Sequence, residues 1–196
     1  MNRLPSDETL QSCRRCELWR HATQAVAGEG PRSCAIMLVG EQPGDEEDQR
    51  GHPFVGPAGR VLDEAITAAG MQRKNLFVTN AVKHFKWEPR GKRRLHKRPG
   101  AGEIKACHIW LEQELTAIKP RVVVALGATA LKALTRSSLS IDAARGQALS
   151  LEHGATLLAT YHPSAILRAE GARAQELKAI LIEDLRRAAK LAADIQ

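Results

Sequence analysis

The chain has 196 residues, 43% hydrophobic and 26% charged. That is enough for one domain with a real core, and no apolar run approaches the roughly 20 residues that cross a bilayer. The 29 Lys+Arg against 22 Asp+Glu leave a net charge of +7, which points to nucleic acid or another polyanion as partner. The first residues, MNRLPSDETLQSC, lack the apolar segment of a signal peptide. A cytoplasmic, single-domain protein over 1–196 is expected, with no repeat or linker. In a reducing compartment the four cysteines, two of them spaced C-x-x-C, suggest metal or redox chemistry before a structural disulfide.

Residues 6–19 are predicted helical. Ser6 or Asp7 can cap, Leu10, Cys13 and Leu18 share a face, and Cys13 and Cys16 lie on one side of the helix. Residues 20–33 contain Gly28, Gly30 and Pro31 and read as a loop. CAIMLVG at 34–40 is a continuous apolar run ending in glycine, the signal of a buried strand. A long Gly/Pro-rich loop fills 41–59. Pro57 opens a helix with Val61, Leu62, Ala65, Ile66 and Ala69 on its apolar face, and Gly70 ends it. LFVTNAV at 76–82 is the second strand.

KHFKWEPRGKRRLHKR at 83–98 carries eight Lys/Arg and one Glu, so the chain's whole net charge sits in this one segment. It lacks clean apolar periodicity and contains Pro89 and Gly91, so it reads as a loop. Blocks of cations mean a polyanion partner or a solvated stretch. Phe85 and Trp87 add flat faces on which bases can stack, and His96 sits among the cations as a potential nucleophile.

Residues 102–119 are predicted helical, with Ile104, Cys107, Ile109, Trp110, Leu115 and Ile118 mostly inward, and Pro120 stops them. VVVALG at 122–127 is a third buried strand, followed by a short helix over 128–135 and an irregular 136–146. ALSL at 148–151 and TLLAT at 156–160 read as two more strands. YHPSAILR at 161–168 reads as a turn, and 172–195 as a long amphipathic helix. Strands alternating with helices imply an α/β layer fold with a mostly parallel sheet.

Ligands of open parallel sheets bind beyond the carboxyl ends of the strands. GEQPGDEED, TNAVKH and TYHPS all fall at such ends, which would bring Gln42, Asp45, Phe54, Asn80 and His162 to one pocket. Taken singly, Phe54 reads as core, Asn80 as a capping residue and His162 as a loop histidine. Together they offer an aromatic face, an amide, an imidazole and carboxylates, which suits a planar heterocycle with carbonyl and N–H groups.

GEQPGDEED…HPFVGPAGRVLD, TNAVK and YHPSAILR resemble the motifs of family-four uracil-DNA glycosylases, over nearly the whole chain. The resemblance implies a three-layer αβα fold around a four-stranded, mostly parallel sheet, a [4Fe–4S] cluster, and excision of uracil from DNA. KRRLHK at 92–97 is similar to the insert of the UdgX branch, whose members become covalently attached to uracil-containing DNA. GEQPG in place of the commoner GEAPG, and KH in place of KC at 83–84, agree with that branch. A monomer acting on DNA, preferentially single-stranded, is expected.

By the same resemblance the cluster ligands are Cys13, Cys16, Cys107 and, where the family has its remaining cysteine, His84. Imidazole is an accepted iron ligand in Rieske centres. Cys34 is the rival fourth ligand, and zinc on three Cys and one His the rival metal.

The resemblance assigns Phe54 to stacking on uracil and Asn80 to its O4/N3 edge. Backbone amides at Gly40 and Gln42, and the side chain of His162, are placed to bind O2, where negative charge develops. Attack of His96 on C1′ of the resulting sugar cation is the expected covalent step. Neighbouring Arg93, Arg94, Lys97 and Arg98 are expected to keep the imidazole neutral, with Glu41 orienting it and accepting its other proton, and Asp45 doing the same or positioning a water. Lys92, Arg93, Arg94, Lys97, Arg98 and Ser164 are the expected DNA contacts. A multiple-turnover glycosylase, and a non-catalytic cluster-bearing binding module, are the competing readings.

Overall fold

The computed structural model describes residues 7–195; the cap expected at Ser6 lies outside them. The sheet is built first from the apolar runs. β1 (Ile36–Gly40), β2 (Phe77–Asn80), β5 (Val122–Leu126) and β7 (Thr156–Thr160) stand in the order β2-β1-β5-β7, all parallel. Every residue of β1, β2 and β5 is buried, which is why these strands read as continuous rather than alternating apolar runs. A fifth strand, β6 (Leu149–Ser150), adds a two-residue antiparallel edge beside β7. The four-strand sheet implied by the resemblance therefore gains the short strand read at 148–151. At the opposite edge, the loop residue Glu29 exchanges both main-chain hydrogen bonds with Val78 and covers β2.

Helices cover both faces. α3 (Pro57–Ala68) and α8 (Gly171–Asp194) pack Leu62, Ile66, Leu181 and Leu185 against Leu38, Val78 and Val124. α4 (Ala101–Ile118) and α5 (Ala128–Thr135) pack Leu111, Leu115 and Leu131 against Met37, Phe77 and Val123. The three-layer αβα expectation holds. No helix among the described residues is long and apolar enough to cross a membrane.

Five local expectations are corrected. The helix over 6–19 is only α1 (Asp7–Gln11) and a 3-10 turn (Glu17–Arg20), so Cys13 and Cys16 lie in the connecting loop, not on one helix face. The loop after β1 contains α2 (Asp45–Arg50), with four acidic residues in its first turn, where the helix dipole favours them. Residues 136–146 include α6 (Ile141–Ala144), and the turn after β7 is α7 (Pro163–Arg168). Ile109, expected inward on α4, is exposed.

The basic segment departs furthest from expectation. It is not a loop but an antiparallel hairpin, β3 (Trp87–Arg90) and β4 (Arg93–His96), registered Trp87 to His96 and Arg90 to Arg93 across the Gly91 turn. Cations on both faces hide the period-two pattern by which a strand is recognised.

Candidate active site

Three strand ends converge, as their positions required. Gly40 ends β1, Asn80 ends β2, and His162 follows β7 as the N-cap of α7. A Cβ at Gly40 would meet the Asn80 carboxamide and come 2.5 Å from the Phe54 ring. Only glycine leaves the gap between amide and ring open. Asn80 is 2% exposed, and its Oδ1 is buried with no hydrogen-bond partner among the described residues. A buried acceptor left unpaired costs about 1–3 kcal/mol, the signature of a group awaiting a ligand N–H.

Phe54 arrives from the loop between α2 and α3 with a left-handed φ of 54°, unusual for a bulky residue. The buried Glu47 carboxylate of α2 accepts from Gly56 N, at the far end of this loop, at 2.8 Å and from Gly44 N, ahead of α2, at 3.0 Å. Gly59 of α3 lies so close to the Phe54 carbonyl that no side chain fits there. The Phe54 and His162 rings stand 5.9 Å apart, tilted by 31°.

His162 Nδ1 accepts from Ser164 N at 3.1 Å and contacts Ser164 Oγ at 2.8 Å. Its proton is therefore on Nε2, as a donor. Burial, with Arg168 and His96 as like-charged neighbours, pushes its pKa down to about 4. The ring is a neutral donor at physiological pH. The Ser164 hydroxyl, expected on DNA, is shared between His162 and the Arg168 guanidinium at 3.0 Å.

The hairpin brings His96 to the same site. Its Nε2 stands 3.4 Å from Glu41 Oε1, and its ring lies 6.0 Å from that of Phe85. Burial lowers its pKa below the usual histidine value, Glu41 opposes this, and Arg168 and Arg98 add to it. The neutral form was expected; its causes are corrected. Arg93, Arg94 and Lys97 do not figure, and Arg168, which the sequence reading missed, does. Thr129 was missed as well: its hydroxyl donates to Glu41 Oε2 and holds that carboxylate. A threonine in a helix behind a strand carries no local sign of such a role.

Of the two carboxylates considered beside His96, Glu41 is adjacent. Asp45 is engaged by Arg94 at 2.5 Å and by Gln49 at 3.0 Å. Gln42, expected in the pocket, turns its side chain to the hairpin. Its Nε2 donates to Lys86 O at 3.2 Å and Lys97 O at 3.1 Å, and its Oε1 accepts from Lys86 N at 3.2 Å. One amide thus ties the two chain segments at the open end of the hairpin. Arg94, expected on DNA, instead turns inward to the buried Asp48 at 2.6 Å and sits over Phe85 and Trp87. Lys97 pairs with Glu88 at 2.8 Å, and Arg98 approaches Glu41 at 3.8 Å. Arg90, Lys92 and Arg93 at the tip are exposed and make no ion pair among the described residues. They form a run of neighbouring cations free to meet a polyanion.

The cysteines divide. Cys13, Cys16 and Cys107 lie close enough that the first two push the Cys107 thiol up, after burial, to about 12. Two N–H groups already address sulfur: Trp110 Nε1 at 3.3 Å from Cys13 and Lys83 N at 3.2 Å from Cys107. His84 is buried and makes no hydrogen bond among the described residues; burial lowers its pKa, Asp48 opposes this, and Arg14 of the C-x-x-C loop adds to it. Cys34 sits in the core beside the main chain of Phe77 and Ile36, and no other cysteine figures in its titration. No three His, Cys, Asp or Glu side chains among the described residues stand at coordinating distances. The donor set has the right chemistry and vicinity for a thiolate-bound group without being drawn in around one.

A separate recess of about 410 Å³ lies between the ends of α4 and α5 and the β6–β7 turn. On its wall Glu112 pairs with His153 at 2.7 Å, and with His108 beyond the recess at 2.8 Å.

Comparison with known proteins places this geometry. The family model described as the uracil DNA glycosylase superfamily matches residues 27–186. The chain is 37% identical to the Type-4 uracil-DNA glycosylase of Thermotoga maritima, over 92% of this chain and 90% of the relative. It is 35% identical to the Type-4 enzyme of Pyrobaculum aerophilum, over 86% of each. The Type-5 uracil-DNA glycosylase of Pyrobaculum aerophilum is 31% identical, over 92% of this chain and 82% of the relative.

Proposed function

The chain belongs to the uracil DNA glycosylase superfamily, and on that premise we propose that it excises uracil from DNA and stays attached, through His96, to the sugar it empties. One observation carries the covalent step. A hairpin tied down by Gln42 and Arg94 holds a neutral imidazole beside Glu41, in the same electrostatic neighbourhood as His162.

The flipped base, whose unstacking costs a few kcal/mol, enters the gap left by Gly40 and stacks on Phe54. The unpaired Asn80 Oδ1 accepts the uracil N3–H, and the amide N–H donates to O4. Cytosine has no proton on N3 and an amino group in place of O4, so it meets acceptor with acceptor and donor with donor. His162 Nε2–H, with backbone amides at Gly40 and Gln42, addresses O2 as the C1′–N1 bond breaks and its electron pair passes to the uracil. A ring nitrogen of His96 forms the new bond to C1′, and the other nitrogen gives up its proton to Glu41. An alkylated imidazole is a poor leaving group, so the protein acts once. Arg93, Lys92 and Arg90 at the hairpin tip hold phosphates.

Cys13, Cys16, Cys107 and His84 would hold an iron–sulfur cluster. It would supply no bond-making chemistry in this reading and would tie the base of the hairpin to α4. The carriers of that role here are Cys107, which feels Cys16 and Cys13, and a buried imidazole with no hydrogen-bond partner among the described residues.

A denaturing gel with uracil-containing single-stranded DNA tests the proposal. A slow band that survives heat and detergent supports it. Abasic DNA without the band means an ordinary glycosylase, and unchanged DNA means a binding module. In His96→Ser, the pocket and the O2 donors remain and water can reach C1′, so abasic DNA without a band is expected; a persisting band would assign the attachment to another residue.

A further inference from the structure

We infer that the buried group Thr79–Lys83–Glu114, on the face of the sheet away from the pocket, is the device that aims Asn80 at the base. The inference rests on Asn80 reading the uracil edge. The Asn80 side-chain amide makes no hydrogen bond to the protein among the described residues. No hydrogen bond on the pocket side therefore fixes its direction before a base arrives, which leaves that task to packing and to its own main chain.

That main chain is gripped from behind. Alternation along β2 sends Asn80 to the pocket face and Thr79 to the α4 face. There the Lys83 side chain, 0% exposed, places its ammonium 2.9 Å from the Asn80 carbonyl and 2.6 Å from Thr79 Oγ1. Glu114 of α4, 1% exposed, accepts from the same ammonium at 2.8 and 2.7 Å, from Thr79 Oγ1 at 2.8 Å, and from Gly28 N at 3.1 Å. All three ammonium protons have partners. Two of them clamp consecutive residues at the end of β2, and the third fastens that clamp to a helix and to the loop covering the sheet edge.

A buried ion pair is a weak source of stability, since an apolar pair of similar volume does as well or better. What an apolar pair cannot do is hold a carbonyl in one direction. Here the carbonyl held belongs to the residue whose carboxamide must discriminate an N–H from a lone pair. Lys83 and Glu114 touch neither base nor sugar; they act as positioning residues through Asn80.

The test replaces the ion pair with apolar side chains, Lys83→Met with Glu114→Leu, and separately removes the hydroxyl in Thr79→Val, with wild type and Asn80→Ala in parallel. Single-turnover uracil release, DNA affinity, thermal stability and the side-chain amide signal of Asn80 in ¹⁵N spectra are measured. The double variant also strips partners from the Gly28 N–H, the Thr79 hydroxyl and the Asn80 carbonyl. The expected results are therefore a lowered Tm with cooperative unfolding retained, unchanged DNA affinity, release slowed at least about tenfold, and a broadened or doubled Asn80 amide signal. Thr79→Val should show the same signature more weakly, and it decides the matter if the double variant fails to fold. Release within about twofold of wild type and a single sharp amide signal in the folded variants would overturn the inference. If Asn80→Ala itself releases uracil normally, the pocket assignment fails instead, so the two failures are told apart.

Discussion

Arg94→Ala separates a cation that holds the protein together from one that holds DNA. Arg94 places Nη1 2.6 Å from Asp48 Oδ2 and Nε 2.5 Å from Asp45 Oδ1, with its guanidinium 5.4 and 5.5 Å from the Phe85 and Trp87 ring centres. Asp48 is fully buried, and without Arg94 it keeps only the Thr23 N–H, at 2.9 and 3.1 Å. Stripping one partner from a buried pair costs about 3–5 kcal/mol. The remaining N–H bond places this case at the lower end, the half-exposed Asp45 adds little, and two lost ring contacts add about 0.5–1 kcal/mol each. A loss of about 4 kcal/mol follows, or about 10 °C in Tm for a chain of this size. The hairpin would loosen with it, so the covalent band should form at least about tenfold more slowly while uracil release survives. The log–log salt slope of DNA binding should not move, because this side chain is not free to reach a phosphate. Calorimetry, a salt titration and the denaturing gel read the three quantities. An unchanged Tm with a slope reduced by about 0.7 on single strands would show that Arg94 leaves Asp48 for DNA, and would refute the reasoning.

Arg93→Ala is the complement: the side chain is exposed and makes no ion pair among the described residues, so Tm should hold while the salt slope falls by about 0.7 on single strands and 0.9 on duplex. For acid sensitivity, His162 has a folded pKa of about 4 against about 6.5 unfolded. The unfolded state binds the extra proton between those values, so stability should decline as pH falls from about 6.5 to 4 and then level from this source; His162→Gln should flatten that decline. The trapping rate should hold below pH 6.5 and fall only as the depressed His96 pKa is crossed, because attack needs the neutral ring; quench-flow gels across pH would show it. For the cluster, His84→Cys should keep the brown absorbance, His84→Ala should lose it, and Cys34→Ala should keep it; the reverse pattern for the two alanine substitutions would move the fourth ligand to Cys34.

The strands and the long helices were legible because their signals are local. IMLVG, FVTN and VVVAL are buried on both faces, so burial itself wrote them as apolar runs, and strand ends then located Gly40, Asn80 and His162 without further information. The hairpin was not legible, since its strands are made of cations whose purpose is not to pack. Its position depends on partners 44 to 55 residues away, Gln42 on Lys86 and Lys97 and Asp48 on Arg94, and sequence separation hides such pairs. The roles of several polar residues depended on the same closure. Arg94 and Lys97 look identical to Arg93 in the chain, yet the first two face carboxylates and the third faces water. Glu41 and Asp45 are four residues apart and chemically alike, but the Arg94 fork takes one and leaves the other beside His96. Composition and spacing determined which groups are present at the strand ends; only the packed tertiary structure decided which charges are spent on each other and which remain free, because in a closed fold each buried charge must find its partner before any is left for a ligand.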